Sequence, residues 1–166
     1  MREIRKSVAI DYEAIKNIIE QSFGTGRNAY EGIDAGRYLV YTVDSVPVAM
    51  TGLCMEGAFY TNYQPEVDYT AVLPMFRNKG ILTALFGEML KDAPSILYYS
   101  AWRNSHDYKH AAAEKLLQHF GFIEIKRPHL EFRIGSNCRY KSSAECVYYT
   151  GIDCYCYEDL WYYKGK

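Results

Sequence analysis

Between residues 67 and 102 the chain reads as strand, helix and strand in close succession. Val67 to Leu73 is an extended, largely apolar run that stops at Pro74. Proline has no N–H to give to a sheet, so a strand ends there. A short basic loop then leads into a helical pattern from Gly80 to Leu90, with Ile81, Leu82, Leu85, Phe86, Met89 and Leu90 on one stripe. Asp92-Ala93-Pro94 terminates that helix. Ile96 to Trp102 is continuously apolar, the pattern of a strand buried on both faces. Strand, helix and buried strand in succession call for a layered α/β domain.

The flanking segments extend the same plan. Val8-Ala9-Ile10 closes a short extended segment, and Asp11 offers an N-cap to a helix with Ala14, Ile15, Ile18, Ile19 and Phe23 at helical spacing. Gly24-Thr25-Gly26 stops it. Tyr38 to Val43 and Val46 to Cys54, joined by Asp44-Ser45, read as a β-hairpin. Downstream, His110 to Phe120 is a second amphipathic helix ended by Gly121. Phe122 to Ile125 and Leu130 to Ile134 are extended, and Val147 to Tyr163 alternates as a last strand or hairpin. The predicted order is β-α-β-β-β-α-β-α-β-β, an α/β domain with a mixed sheet.

Composition narrows the function classes. With 49% hydrophobic and 23% charged residues in 166, the chain has enough apolar surface to fold, and its length suits one domain. Nineteen basic against twenty acidic residues exclude a generally basic nucleic-acid binder. No apolar run approaches the roughly 20 residues that cross a bilayer, so no membrane partner is expected. The N-terminal segment lacks the apolar core of a signal peptide, and the expected location is cytoplasmic. No linker or repeat divides the sequence.

The most informative segment is Val72 to Leu82. A helix start leaves backbone N–H groups unpaired and carries partial positive charge. Gly80 allows close approach to the backbone, and Arg77 and Lys79 add charge. These are requirements for holding a pyrophosphate. The alternative reading is an ordinary strand-loop-helix join with solvated basic residues.

At these positions the sequence resembles the GCN5-related N-acetyltransferase (GNAT) family. Its signature is a strand ending Val-x-Pro, then Arg or Gln after two residues, Gly after two more, and a further Gly or Ala. Val72, Pro74, Arg77 and Gly80 match, and Leu82 replaces the last small residue. A second family motif, a buried strand, a helix, Gly-Phe and another strand, is similar to Leu97–Trp102, His110–Phe120, Gly121-Phe122 and Ile123–Ile125. The resemblance covers roughly Ile4 to Ile134. It implies a mostly antiparallel mixed sheet flanked by helices and splayed at the fourth and fifth strands. Residues 1–134 would form the acyltransferase core, with 135–166 a Cys/Tyr-rich strand or hairpin completing the same domain.

The resemblance also implies acetyl-coenzyme A as donor. Its pyrophosphate would lie on the backbone N–H groups of Asn78, Lys79, Gly80, Ile81 and Leu82, with the Thr83 hydroxyl and the Arg77 charge beside it. The pantetheine arm would pair with Ala71, Val72 and Leu73 as an added strand. A strand N–H near Val72 would bind the acetyl carbonyl. The amine acceptor must lose a proton before it attacks. The family's glutamate base, six positions before the motif valine, falls on Glu66. Asp68 shares its strand face, so the pair could draw in a cationic amine and raise each other's pKa. The alternative is that both are solvated residues at a strand start. The family's tyrosine acid falls on Leu117 and its asparagine on His110, two departures; Tyr108 is a substitute acid, or one more packing tyrosine.

Three features remain. Cys138, Cys146, Cys154 and Cys156 cluster near the C-terminus, and Cys154-Tyr155-Cys156 puts two thiols on one strand face. They read as a structural zinc site, with His129 or His119 as a substitute ligand, or as buried thiols. Gly24-Thr25-Gly26-Arg27-Asn28-Ala29 has a dinucleotide-fingerprint spacing but follows a helix, so it reads as a loop. The aromatic tail with Trp161, Tyr162 and Tyr163 is a packed strand, an acceptor wall or a homodimer surface. The expected activity is N-acetyl transfer from acetyl-coenzyme A to a primary amine by direct attack in a ternary complex. The competing expectation is a non-catalytic acyl-coenzyme A sensor or interaction module on the same fold.

Overall fold

The predicted hairpin supplies the second and third strands of the sheet. Strand β2 (Tyr38–Val43) pairs antiparallel with β3 (Val46–Cys54). Asp44 and Ser45 take positive φ of 50° and 69°, the two-residue turn whose twist matches the strands it joins. Strand β1 (Arg2–Lys6) adds to the outer edge of β2. The computed structural model describes residues 1–23, 36–55, 65–103, 113–125 and 157–165.

On the inner side of β3 lie two short strands, β4 (Glu66–Val67) and β5 (Ala71–Val72), where the sequence suggests one from Val67 to Leu73. The cause is a register shift. Leu53 faces Val67 and Cys54 faces Glu66, whereas Ala49 faces Val72 and Met50 faces Ala71. One extra residue therefore stands opposite Thr51, a β-bulge that interrupts pairing at 68–70. Strand β4 continues the sheet to β6 (Ile96–Arg103) through a parallel pairing of Glu66 with Tyr98. Strand β5 pairs with β3 alone among the described residues. The sheet thus divides between β5 and β6. Strand β8 (Tyr157–Lys164) pairs antiparallel with β6 over its length and with β7 (Ile123–Ile125) on its other side.

Helices cover both faces. Helix α1 (Tyr12–Phe23) buries Ile15, Ile18 and Ile19 against Tyr38, Val40, Met50, Tyr69 and Ala71. Helix α2 (Ile81–Met89) lies on the opposite face, with Ile81 and Leu85 on Val48 and Ala49. Phe86 and Met89 join a second core with Leu97, Tyr99, Trp161, and Leu117 of α3 (Glu114–His119). These are the apolar stripes read from the sequence. The expected mostly antiparallel, splayed α/β sheet flanked by helices is the observed architecture.

Asp11 does not cap α1. Ala9 to Asp11 form a 3-10 turn, and the Asp11 carboxylate, 2% exposed, accepts two bonds from Arg5 at 2.6 and 2.8 Å. It also accepts the Val8 N–H at 2.9 Å. A buried carboxylate needs a cationic partner, and β1 delivers one beside it. The Arg5 hydrogen bond holds its pKa below the usual carboxylate value. No helix among the described residues is long and apolar enough to cross a membrane.

Candidate active site

The division of the sheet leaves a particular set of backbone groups facing outward. Leu73 N–H donates to the Val48 carbonyl at 2.9 Å. Bonded and non-bonded pairs alternate in an antiparallel ladder, so Val72, opposite Ala49, directs its N–H away from β3. Its carbonyl accepts the Arg77 Nε–H at 3.2 Å. Ala71 is buried, and Val72 and Leu73 are half-buried.

The same chain turns directly into a helix start. Pro74–Phe76 form a 3-10 turn, Asn78 takes a positive φ of 59°, and Gly80 caps α2 at φ 72°. No side chain caps the N-terminus of α2. The two left-handed residues reverse the chain so that the first amides of the helix open to solvent. A Cβ built on Gly80 meets nothing within 4 Å. Arg77, Asn78, Lys79, Gly80 and Thr83 are exposed, Leu82 is half-buried, and Ile81 turns into the core. Lys79 Nζ stands 5.3 Å from the centre of the Phe76 ring, which holds it beside the turn. Unpaired amides, positive side chains and a glycine with free space in front of it fit an anionic group such as a pyrophosphate.

The carboxylates lie on the other face of the split. Val67 belongs to the α2 side of the sheet, so alternation puts Glu66 and Asp68 on the α1 side. Both are buried, Glu66 completely, which removes the reading that they are solvated. Their roles diverge. Asp68 Oδ1 accepts the Tyr69 N–H at 2.6 Å, and Oδ2 accepts the Tyr38 hydroxyl at 3.2 Å and pairs with Arg37. Burial raises the Asp68 pKa, against the pull of Arg37; Glu66 is not among the causes. The carboxylate read from the sequence as attracting an amine is thus already paired with a guanidinium. It also takes the Tyr69 N–H at the bulge, where ladder pairing is interrupted. Burial likewise pushes the Tyr38 phenol up. Gly52 is required here, since a Cβ would stand 2.6 Å from Tyr38 Cδ1.

Sequence reading missed Arg37, Tyr38 and Gly52, because only the hairpin register brings residues 37, 38 and 52 to residue 68. It also missed a line of hydroxyls on the α2 side. Thr51 Oγ1 and Thr70 Oγ1 are 3.0 Å apart, and Thr70 hydrogen-bonds the Tyr99 hydroxyl. Leu117, where the family resemblance places an acid, is completely buried in the α2-side core.

Tyr108, His110, His129 and the 24–29 loop lie outside the described residues, as do the 130–134 segment and Cys138, Cys146, Cys154 and Cys156. Among the described residues no cluster could hold a metal ion, and His119 is exposed on α3.

An open, mostly antiparallel sheet divided beside a helix start that faces solvent is the architecture of the GNAT acetyltransferases. A GNAT-family acetyltransferase from Bacillus cereus superposes with a TM-score of 0.65 at 17% identity, covering 100% of this chain and 99% of that one. Diaminobutyrate acetyltransferase from Paenibacillus lautus, in complex with L-2,4-diaminobutyric acid and coenzyme A, also gives 0.65, at 12% identity over 99% and 95% of the two chains. The Escherichia coli ribosomal-protein-S18-alanine N-acetyltransferase gives 0.58 at 16% identity over 98% and 91%. No protein-family model and no curated protein matches the sequence. Identities this low carry the fold and leave the substrate to the site itself.

Proposed function

We propose that the protein transfers an acetyl group from acetyl-coenzyme A to a primary amine by direct attack. The observation that carries this reading is the continuity of the outward-facing Val72 N–H with the uncapped, exposed start of α2. One ligand with a diphosphate at one end and a thioester at the other engages both. The diphosphate lies on the amides from Asn78 to Leu82, flanked by Arg77, Lys79 and Thr83. The pantetheine arm runs along Ala71, Val72 and Leu73 in the split, and the Val72 N–H polarises the acetyl carbonyl. A diaminobutyrate acetyltransferase with this fold binds coenzyme A and a diamino acid, which supports an amine acceptor.

Glu66 is the base in this reading. It stands at the closed end of the split, opposite Tyr98, on the α1 face, while α2 delivers the donor from the other. Base and leaving group are then on opposite sides of the reacting carbonyl. A fully buried carboxylate receives the amine proton through water rather than by direct contact. Glu66→Gln is expected to lower turnover and flatten its acid limb while coenzyme A affinity stays within about two-fold, a change below ~0.5 kcal/mol. Equal pH profiles for the two proteins would remove Glu66 from this role. Screening acetyl-coenzyme A against small amines, amino acids and peptide N-termini tests donor, reaction and acceptor together.

The buried Leu117 favours a second reading, an acyl-coenzyme A sensor that binds without transfer. Donor binding with no product across the whole amine panel would select it. For the C-terminal thiols we retain a structural zinc as a proposal on spacing alone; less than about half an equivalent of metal in purified protein would exclude it.

A further inference from the structure

We propose that Asp68 is a positioning residue: by anchoring the bulge between β4 and β5, it aims the Val72 N–H into the split. Its part in the reaction rests on the acetyl-transfer reading above; its part in the sheet does not.

Parity decides where a strand amide points. In an antiparallel ladder every second residue turns its N–H toward the neighbouring strand. On the β4 side of the bulge Leu53 faces Val67, and the Asp68 N–H donates to the Gly52 carbonyl at 2.8 Å. Continued unbroken, that register would turn the N–H groups of residues 70 and 72 toward β3. Beyond the bulge the order is reversed. Ala49 faces Val72, and it is Leu73 that donates to β3, at the Val48 carbonyl. The one inserted residue, Tyr69, thus converts Val72 from an inward to an outward donor. Side chains record the same insertion: Asp68 and Tyr69 lie on one face instead of alternating. The Tyr69 ring is buried in the α1-side core, its centroid 5.3 Å from that of Phe23.

An inserted residue loses its place in the ladder, and Asp68 supplies the acceptor its amide needs. Oδ1 takes the Tyr69 N–H at 2.6 Å. Oδ2 is held by the Tyr38 hydroxyl at 3.2 Å and by Arg37, which fixes the carboxylate over that amide. The Asp68 carbonyl accepts the Thr70 hydroxyl at 3.3 Å. Every polar group of Asp68 is engaged within the sheet, so the residue acts through Val72 and not on a substrate. The β4–β6 ladder shows the competing arrangement. With Glu66 facing Tyr98, the Tyr98 N–H donates to the Pro65 carbonyl at 2.9 Å. Continued without the bulge, the same ladder would carry the Tyr69 N–H to Ser100 of β6, close the split and turn Val72 inward.

Amide exchange followed by NMR reads the direction of each N–H. In the native chain the Val72 N–H is expected to exchange readily and the Leu73 N–H to be protected. Asp68→Ala should lose that contrast. Asp68→Asn keeps an oxygen for the Tyr69 N–H and should retain it, although its melting temperature falls with the lost Arg37 pair. Contrast retained in Asp68→Ala, or lost in Asp68→Asn as fully as in Asp68→Ala, would overturn the proposal. The infrared stretch of carbonyl-labelled acetyl-coenzyme A, bound without an acceptor, reads the consequence for the reaction. It is expected below its value in water for the native chain and Asp68→Asn, with that shift lost in Asp68→Ala. An equal shift in Asp68→Ala would refute the part given to Asp68 in the reaction. A native chain that does not bind acetyl-coenzyme A would instead overturn the acetyl-transfer reading, while the exchange contrast would still decide the role in the sheet. Should Asp68→Ala not fold, Asp68→Leu combined with Arg37→Met removes both charges and leaves neither buried alone. The same loss of contrast is expected there, and its retention would again refute the proposal.

Discussion

Gly80 separates binding from folding more cleanly than any other residue of the site. Its φ of 72° is left-handed, and a Cβ there meets nothing within 4 Å. In the free protein a side chain is therefore opposed only by backbone conformation. For alanine that strain is about 1–2 kcal/mol, or a melting temperature lower by about 2–8 °C in a chain of this length. Asparagine enters the left-handed region more readily, so Gly80→Asn should lose less than Gly80→Ala. Coenzyme A affinity should not follow that order. The empty space in front of Gly80 is where the diphosphate would approach, and either Cβ would push it from the helix amides. Losing one charge-assisted bond costs about 1.5–3 kcal/mol, a roughly 10- to 150-fold rise in Kd. Calorimetric titration of both variants with coenzyme A, beside thermal melts, gives the two quantities. A stable Gly80→Asn protein that binds coenzyme A within two-fold of the native chain would refute the placement of the diphosphate.

Three further outcomes follow from packing and charge. Gly52→Ala puts a methyl 2.6 and 2.9 Å from two atoms of the Tyr38 ring and 3.4 Å from Asp68 Cβ; the expected loss is about 1–3 kcal/mol, and an unchanged urea midpoint would show that the clamp yields freely. Leu117→Tyr is not expected to restore an acid, because the site is fully enclosed; it should destabilise by about 1–3 kcal/mol, and a stable variant with faster turnover would contradict this. The Asp11 pKa is lowered by Arg5, so its contribution is present above the unfolded value near pH ~4 and is lost as pH falls through the folded one. Arg5→Met should therefore cost about 1–2 kcal/mol at neutral pH, and urea melts of the two proteins should converge in acid; a constant gap between them would refute the pairing as the source.

The apolar patterns carried most of the fold. Ile15, Ile18 and Ile19 mark the buried stripe of α1, and Ile81, Leu85, Phe86 and Met89 that of α2. These patterns are local, because a helix face or a strand is defined by spacing within one segment. The same holds for Gly80, whose place just ahead of a helical stripe identifies a helix start without reference to any other element. Asp11 shows where locality fails: as a cap it looks inward along the chain, but Arg5 on β1 is the stronger partner.

What the amino-acid order determined by itself is the set of elements and the glycine turn into α2, to which the proposed diphosphate site is assigned, since both depend on residues within a few positions of each other. Tertiary structure decided the rest. The extra residue opposite Thr51 exists only as a mismatch between two strands. The Arg37–Asp68–Tyr38 clamp and the Thr51–Thr70–Tyr99 line join residues that only the sheet register brings together. A carboxylate such as Asp68 cannot reveal from its neighbours in sequence whether it faces water, an amine or a guanidinium. Its charge partner is set by pairing across the sheet, and that pairing is where the chemistry of the site is fixed.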